Sequence, residues 1–214
     1  LRSWQADGGA RHLAYAADLA ALVDAFTRLY ELTGEAGWLA EATGTAEALL
    51  DLFEDTGGGG LWTTGHDAEA LVARQKDLFD NATPSANSSG ALALARLATL
   101  TGEERFSAAA ERIVRLLAGP AGSHPTAFAH LLAAVDLLVG PSSEVVVSGE
   151  RPDLVDAVHR RFLPRTVLAW GEPVPGSPLW EGRTDGRAYV CEAYACRQPV
   201  DTVDDLVTQL DAPG

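Results

Sequence analysis

Residues 29–42 read LYELTGEAGWLAEA, and residues 97–110 read LATLTGEERFSAAA. The second stretch repeats the first at a shift of 68 residues: Leu29 falls on Leu97, Trp38 on Phe106, and the Thr-Gly-Glu turn on itself. In each copy an apolar pattern at helical spacing runs into Thr-Gly, a helix stop, and a second helical pattern begins at once. Two helices joined by so short a turn pack antiparallel, as a helical hairpin. Working outward, the spacing predicts helices over 12–34 and 35–53, with the glycine run 57–60 as a flexible end, and over about 86–101 and 103–118, stopped by Gly119-Pro120. A further amphipathic helix is expected over 124–140, before Gly140-Pro141. Repeated hairpins with short turns suggest a solenoid or a closed ring of helices.

The last third changes character. SEVVVSG (143–149) and RTVLAW (165–170) read as buried strands around a helix at 153–163, a small βαβ-like unit. RAYVCEAYAC (187–196) reads as a third strand running into a turn, and 202–211 as a closing helix with Thr202 as its N-cap. The expected fold class is therefore mainly α, with a helical-hairpin segment over 1–141 and a small α/β segment over 142–214 packed on it.

Composition narrows the function. Of the 214 residues, 47% are hydrophobic, which marks a globular chain. The formal net charge of -14 disfavours nucleic acid and anionic membrane as partners and suits neutral ligands such as sugars. No apolar run reaches the roughly 18 residues of a membrane span. The opening LRSWQADGG has no signal-peptide pattern and no Met, so a missing upstream part is expected. Two cysteines are too few for a secreted disulfide scaffold and point to a reducing cytoplasm.

The chemistry-bearing stretch is 75–102, QKDLFDNATPSANSSGALALARLATLTG. Its first half gathers Asp77, Asp80, Ser85, Asn87 and Ser88 around the start of a helix of small residues, where free amides and a partial positive charge lie. Two readings fit. These side chains are caps and loop hydrogen bonds, or they are the floor of a ligand funnel, whose many hydroxyl and amide groups suit a sugar. Trp62, in a glycine-rich loop, is either a sugar platform or a buried anchor. His12, just before the first helix, is either a funnel residue or a solvated loop residue. His130 fits a core histidine. No carboxylate spacing fixes an acid/base pair, and no metal ligand set or cofactor motif is present.

Five stretches, LYELTGEAGWLAEA, KDLFDNATPSANSSGALALARLATLTG, VVVSG, LWEGR and AYVCEAYACRQPV, resemble in order the C-terminal half of the thioredoxin domain-containing, spermatogenesis-associated protein 20-like family. The resemblance covers nearly the whole chain. It implies part of an (α/α)6 toroid of the six-hairpin glycosidase and N-acylglucosamine 2-epimerase type. The chain departs from the family pattern in Leu19, where an aromatic is usual, in Asn81 and Ala86, where glycines are usual, and in Ala193, where asparagine is usual. If the protein is catalytic, the resemblance implies epimerase, isomerase or glycosidase-like chemistry at Asp80, supported by Asp77 and Asp18, with Ser85, Asn87, Ser88, Trp62 and His12 as ligand contacts. The alternative is a non-catalytic scaffold or interaction domain. The upstream region or another copy would complete the ring.

Cys191 and Cys196 are five residues apart, unlike the C-x-x-C of thioredoxin-type chemistry. Zinc would need two further ligands, and no histidine lies near. Two buried structural thiols are the expectation, and a reversible, redox-sensitive disulfide is the alternative.

Overall fold

The computed structural model describes residues 2–3, 12–69 and 72–212. Helix α1 (Ala16–Thr33) turns into α2 (Ala36–Phe53), and α3 (Ala86–Thr101) turns into α4 (Glu104–Ser123). The two repeated turns match bond for bond. Gly34 (φ 70°) and Gly102 (φ 79°) are left-handed, and their amides donate to Tyr30 O and Ala98 O, each at 2.8 Å. Thr33 Oγ1 donates to Leu29 O and Thr101 Oγ1 to Leu97 O; each hydroxyl accepts from the following Glu35 or Glu103 amide. The 68-residue repeat is thus a repeat of one capping device.

Helix α3 packs against α1, α4 and α5 (Ala129–Val139) and also touches α2 and the sheet. Twelve of its sixteen residues are buried. Its smooth composition follows, because a helix enclosed on every side needs small residues where neighbours come close. At Gly90 a Cβ would lie 2.8 Å from Leu61 Cδ1.

Several boundaries differ from expectation. His12 and Leu13 form strand β2, paired antiparallel with β1 (Arg2–Ser3), and α1 begins only at Ala16. Helix α4 runs through Gly119-Pro120 to Ser123, because Pro120 lies in an exposed last turn, where one lost amide bond costs little. Residues 125–128 form a 3-10 turn rather than α-helix, so α5 starts late. The glycine run 57–60 is a tight turn. Asp55 Oδ1 accepts from the Gly57 and Gly58 amides, and Lys76 Nζ binds Asp55 Oδ2 (2.7 Å) and Gly59 O.

The last third holds β3 (Ser143–Ser148), α6 (Pro152–His159), β4 (Thr166–Trp170), β5 (Arg187–Glu192), β6 (Ala195–Cys196) and α7 (Val203–Asp211). Helix α6 is shorter than the expected 153–163. Sheet order is β4-β3-β5-β6, with β3 and β4 parallel and the other pairs antiparallel. The two-residue period of a strand divides the sheet's faces. Val146, Val167, Ala169, Tyr189 and Cys191 join the core of the helical hairpins, whereas Val145, Val147, Leu168 and Val190 pack with α6 and α7. Thr202 caps α7, accepting from the Asp205 amide. Among the described residues, no helix is long and apolar enough to cross a membrane.

Candidate functional site

The chain between α2 and α3 folds back over the starts of both hairpins. Thr63 O accepts from the Ala16 amide at the head of α1, and Trp62 N donates to Phe53 O at the tail of α2. This path delivers the polar stretch to the first turn of α3. Asp80 is half-buried there, and its two oxygens serve two helices: Oδ1 accepts from the Ser85 amide (2.9 Å), and Oδ2 accepts from the His130 (2.8 Å) and Leu131 (3.3 Å) amides of α5. Burial raises the Asp80 pKa, but the hydrogen bonds from Ser85, Ser88, His130 and Leu131 outweigh burial and hold it below the usual carboxylate value.

The neighbouring groups are committed in the same way. Exposed Asp77 accepts from the Ala86 amide through Oδ2 (3.1 Å). Asn87 is fully buried: its Oδ1 accepts from Leu61 N (2.7 Å), and its Nδ2 donates to Leu61 O (3.0 Å) and Asp77 O (2.7 Å). Ser85 Oγ is the N-cap of α3, accepting from Ser88 N and donating to Ser88 Oγ. Gly60 must be glycine, because a Cβ would lie 2.8 Å from Asn87 Oδ1. Asp77, Asp80, Ser85, Asn87 and Ser88 therefore form one hydrogen-bonded group whose partners are almost all backbone amides and carbonyls.

The remaining expected residues lie around this group. The half-buried Trp62 ring has Lys76 Nζ 4.6 Å and Arg74 Cζ 5.0 Å from its centroid, two cation–π contacts. Asp18 is exposed and serves its own helix, accepting from the Tyr15 amide (2.8 Å). His12 is exposed on β2. His130 is half-buried and enters the group through its backbone amide. Among the described residues, no group of three or more His, Cys, Asp or Glu side chains is disposed to hold a metal ion.

The expected pair of buried thiols is instead a disulfide between Cys191 and Cys196. The two residues are directly opposed across the β5–β6 hairpin, a register the sequence spacing did not reveal. Cys191 is buried and Cys196 is half-buried. Arg183 Nη2 lies 3.0 Å from Cys196 Sγ and 3.8 Å from Cys191 Sγ. The hairpin turn places Ala193 (φ 46°) and Tyr194 (φ 63°) in the left-handed region. Buried Glu144 of β3 holds this turn by accepting from the Tyr194 amide (3.2 Å); burial raises the Glu144 pKa, and the amide bonds oppose that rise.

One buried ion pair lies outside the expected site residues. Arg96 of α3 and Glu31 of α1 meet at 2.5 Å, and Arg96 Nη2 also donates to Thr166 O of β4 (2.9 Å). Glu31 Oε1 accepts in turn from the Leu168 amide (3.1 Å). The signal was present, since Arg96 is the lone charge in an otherwise small and apolar helix.

The chain is similar to human spermatogenesis-associated protein 20, at 30% identity in an alignment 207 residues long that covers 86% of this chain and 25% of the relative. The rat and mouse proteins of that name are 29% and 28% identical over the same share of each chain. This is distant homology, and the chain spans about a quarter of the length of these relatives. No family model matches the chain.

Proposed function

We propose that this chain is a run of helical hairpins from an (α/α) toroid and that it works as a non-catalytic scaffold or interaction domain. One observation carries the reading: the polar side chains at the start of α3 spend their hydrogen bonds on the protein's own backbone. Asp80 meets three amides across two helices, and buried Asn87 uses both ends of its amide. A catalytic carboxylate must instead reach substrate. The distant homology to spermatogenesis-associated protein 20 supports the family placement. A cleft of about 420 Å³ between α1 and α2, lined by Leu19, Leu22, Phe26, Ala48 and Leu52, supports a further hairpin packing on that edge, from the upstream region or another copy.

A sugar-like ligand is the second reading, with Asp80, Asp77 and Asp18 as its carboxylates and Ser85, Asn87, Ser88, Trp62 and His12 as its contacts. It is favoured by the partial exposure of the Trp62 ring and the exposure of Asp77. Thermal shift against a panel of mono- and disaccharides separates the two. The scaffold reading expects no sugar to move the melting temperature. A sugar that raises it in the wild type but not in Asp77→Asn or Trp62→Ala overturns that reading.

A further inference from the structure

The β5–β6 hairpin carries a feature that a structural brace does not need. A disulfide sulfur is a weak acceptor, yet a guanidinium is seated on it, with Arg183 Nη2 3.0 Å from Cys196 Sγ. Arg183 is held there by other contacts: its Nε donates to Leu179 O (2.8 Å), and its Cζ lies 4.7 Å from the centroid of the Tyr189 ring. The cation therefore stays in place whether the sulfurs are joined or not. What it stabilises is a thiolate, which a neighbouring arginine makes easier to form.

We propose that Cys191–Cys196 is a thiol–disulfide exchange site at which Arg183 receives the thiolates, and that exchange releases the Ala193-Tyr194 turn from the end of α3. The co-reactant is a dithiol. Its thiolate attacks the more exposed Cys196 Sγ, an S–S bond forms between them, and the Cys191–Cys196 bond breaks with its electron pair on Cys191 Sγ, 3.8 Å from Arg183. The second thiol of the dithiol, deprotonated, then attacks its own partner sulfur in the mixed disulfide and expels Cys196 as thiolate, 3.0 Å from Arg183. Two electrons pass to the protein, the dithiol becomes a disulfide, and the two protons it gives up balance the two thiols formed.

The turn links this chemistry to the fold. Ala193 and Tyr194 adopt a conformation that residues with a Cβ avoid. The cross-link across the hairpin and the Glu144 carboxylate hold them in it. Tyr194 Oη donates to Thr99 O (3.2 Å) in the last turn of α3, so the hairpin tip clasps the second helical hairpin. With the cross-link open, one of the two restraints is gone. A regulatory purpose for this release rests on the scaffold reading above; the exchange chemistry does not, and the sugar panel has no bearing on it.

The test treats the folded chain with dithiothreitol without denaturant, then alkylates and counts thiols by mass across a range of pH. Two thiols are expected, with Cys196 the faster to alkylate. Arg183→Gln is expected to lower its alkylation rate near neutral pH about tenfold and to move its pH profile upward, a one-unit pKa change being a tenfold change in thiolate fraction. Arg183→Lys is expected to restore part of the rate. Hydrogen exchange of the 191–196 amides should rise on reduction while the α1–α2 amides stay protected. A disulfide that dithiothreitol reaches only in denaturant overturns the proposal, as does an unshifted pH profile in Arg183→Gln. Unchanged protection of the turn after reduction overturns the release.

Discussion

Asp80 is the residue where a catalytic and an architectural role make opposite demands, and Asp80→Ala decides between them. The carboxylate meets the Ser85 amide at the head of α3 and the His130 and Leu131 amides at the head of α5. Losing one helix cap costs about 0.5–2 kcal/mol, and bonds to a charged acceptor lie toward the upper end of the hydrogen-bond range. Two half-buried caps sharing one carboxylate are then worth about 3 kcal/mol. For a chain of this size, 1 kcal/mol moves the melting temperature by about 2–4 °C, so the variant should melt roughly 6–12 °C lower. Asp80→Asn should fall between, because the amide can accept at one helix but presents a donor to the other. The pH dependence has a definite sign. The folded pKa is depressed, so the unfolded chain takes up the proton first; the contribution is full above the ordinary 3.8 and is lost as pH falls through the lower folded value. Asp80→Ala should lack that acid limb. Urea unfolding at pH 7 and at pH 3 reads both effects. If Asp80→Ala melts within about 2 °C of wild type, well below the estimate from its two caps, the shared cap is not stabilising and the carboxylate is free for other work.

Two further outcomes follow from buried geometry. Removing the carboxylate of the Glu31–Arg96 pair, by Glu31→Ala, should cost about 3–5 kcal/mol in urea unfolding, because it leaves the Arg96 charge unpaired between α1, α3 and β4. Arg96→Met should cost less, because Glu31 keeps its ion pair with the partly exposed Arg28 (3.3 Å). Burial depresses the Arg96 pKa despite the Glu31 charge, so the double variant should lose clearly less than the sum of the singles; a fully additive double variant would count against the pair. Gly44→Ala, in mid-α2 with nothing within 4 Å of an added Cβ, should stabilise by about 0.5–1 kcal/mol, while Gly34→Ala should destabilise by at least about 1–2 kcal/mol, since its backbone is left-handed and an added Cβ would lie 3.0 Å from Trp170 and Gly171. Equal melting temperatures for these two variants would refute the reading of the repeated turn.

The hairpins were legible because both their signals are local. A 3.6-residue apolar period and a Thr-Gly stop lie within single stretches of sequence, and α2 and α3 fall within a residue or so of expectation. What was not legible depends on partners far along the chain. The stretch 77–88 reads as polar and as crowding one helix start, but local sequence leaves its role open between caps and a ligand floor. Asn87 takes its partner from Leu61, and Asp80 takes its partner from His130, 50 residues on. Spacing also could not decide between buried thiols and a Cys191–Cys196 disulfide, because the pairing needs left-handed backbone at Ala193 and Tyr194, which neither residue type advertises. Strand β2 gives no sequence signal, since two residues carry no period.

The same repeated turn explains why the last third sits where it does. A left-handed glycine frees a helix end of side-chain bulk and leaves backbone open to another segment. At the first tip, Glu172 N donates to Gly34 O (2.8 Å), and Glu172 Oε2 accepts from the Ala36 amide (2.9 Å), while Gly171 lies too close for any Cβ. At the second tip, Ser177 Oγ donates to Leu100 O (2.6 Å), and Pro178 packs on Gly102. One short loop after β4 therefore reads two equivalent tips in succession and fixes the spacing of the two hairpins. Trp170 Nε1 donates to Glu31 O (2.7 Å) on the same helix whose Glu31 carboxylate binds Arg96, so the loop, the ion pair and both hairpins bear on one another. The Tyr194 clasp adds a third contact to the end of α3, and it is the one that a disulfide restrains. A change at Cys191–Cys196 thus acts on the hairpin spacing through α3, whereas a change at Asp80 acts on the opposite end of that helix.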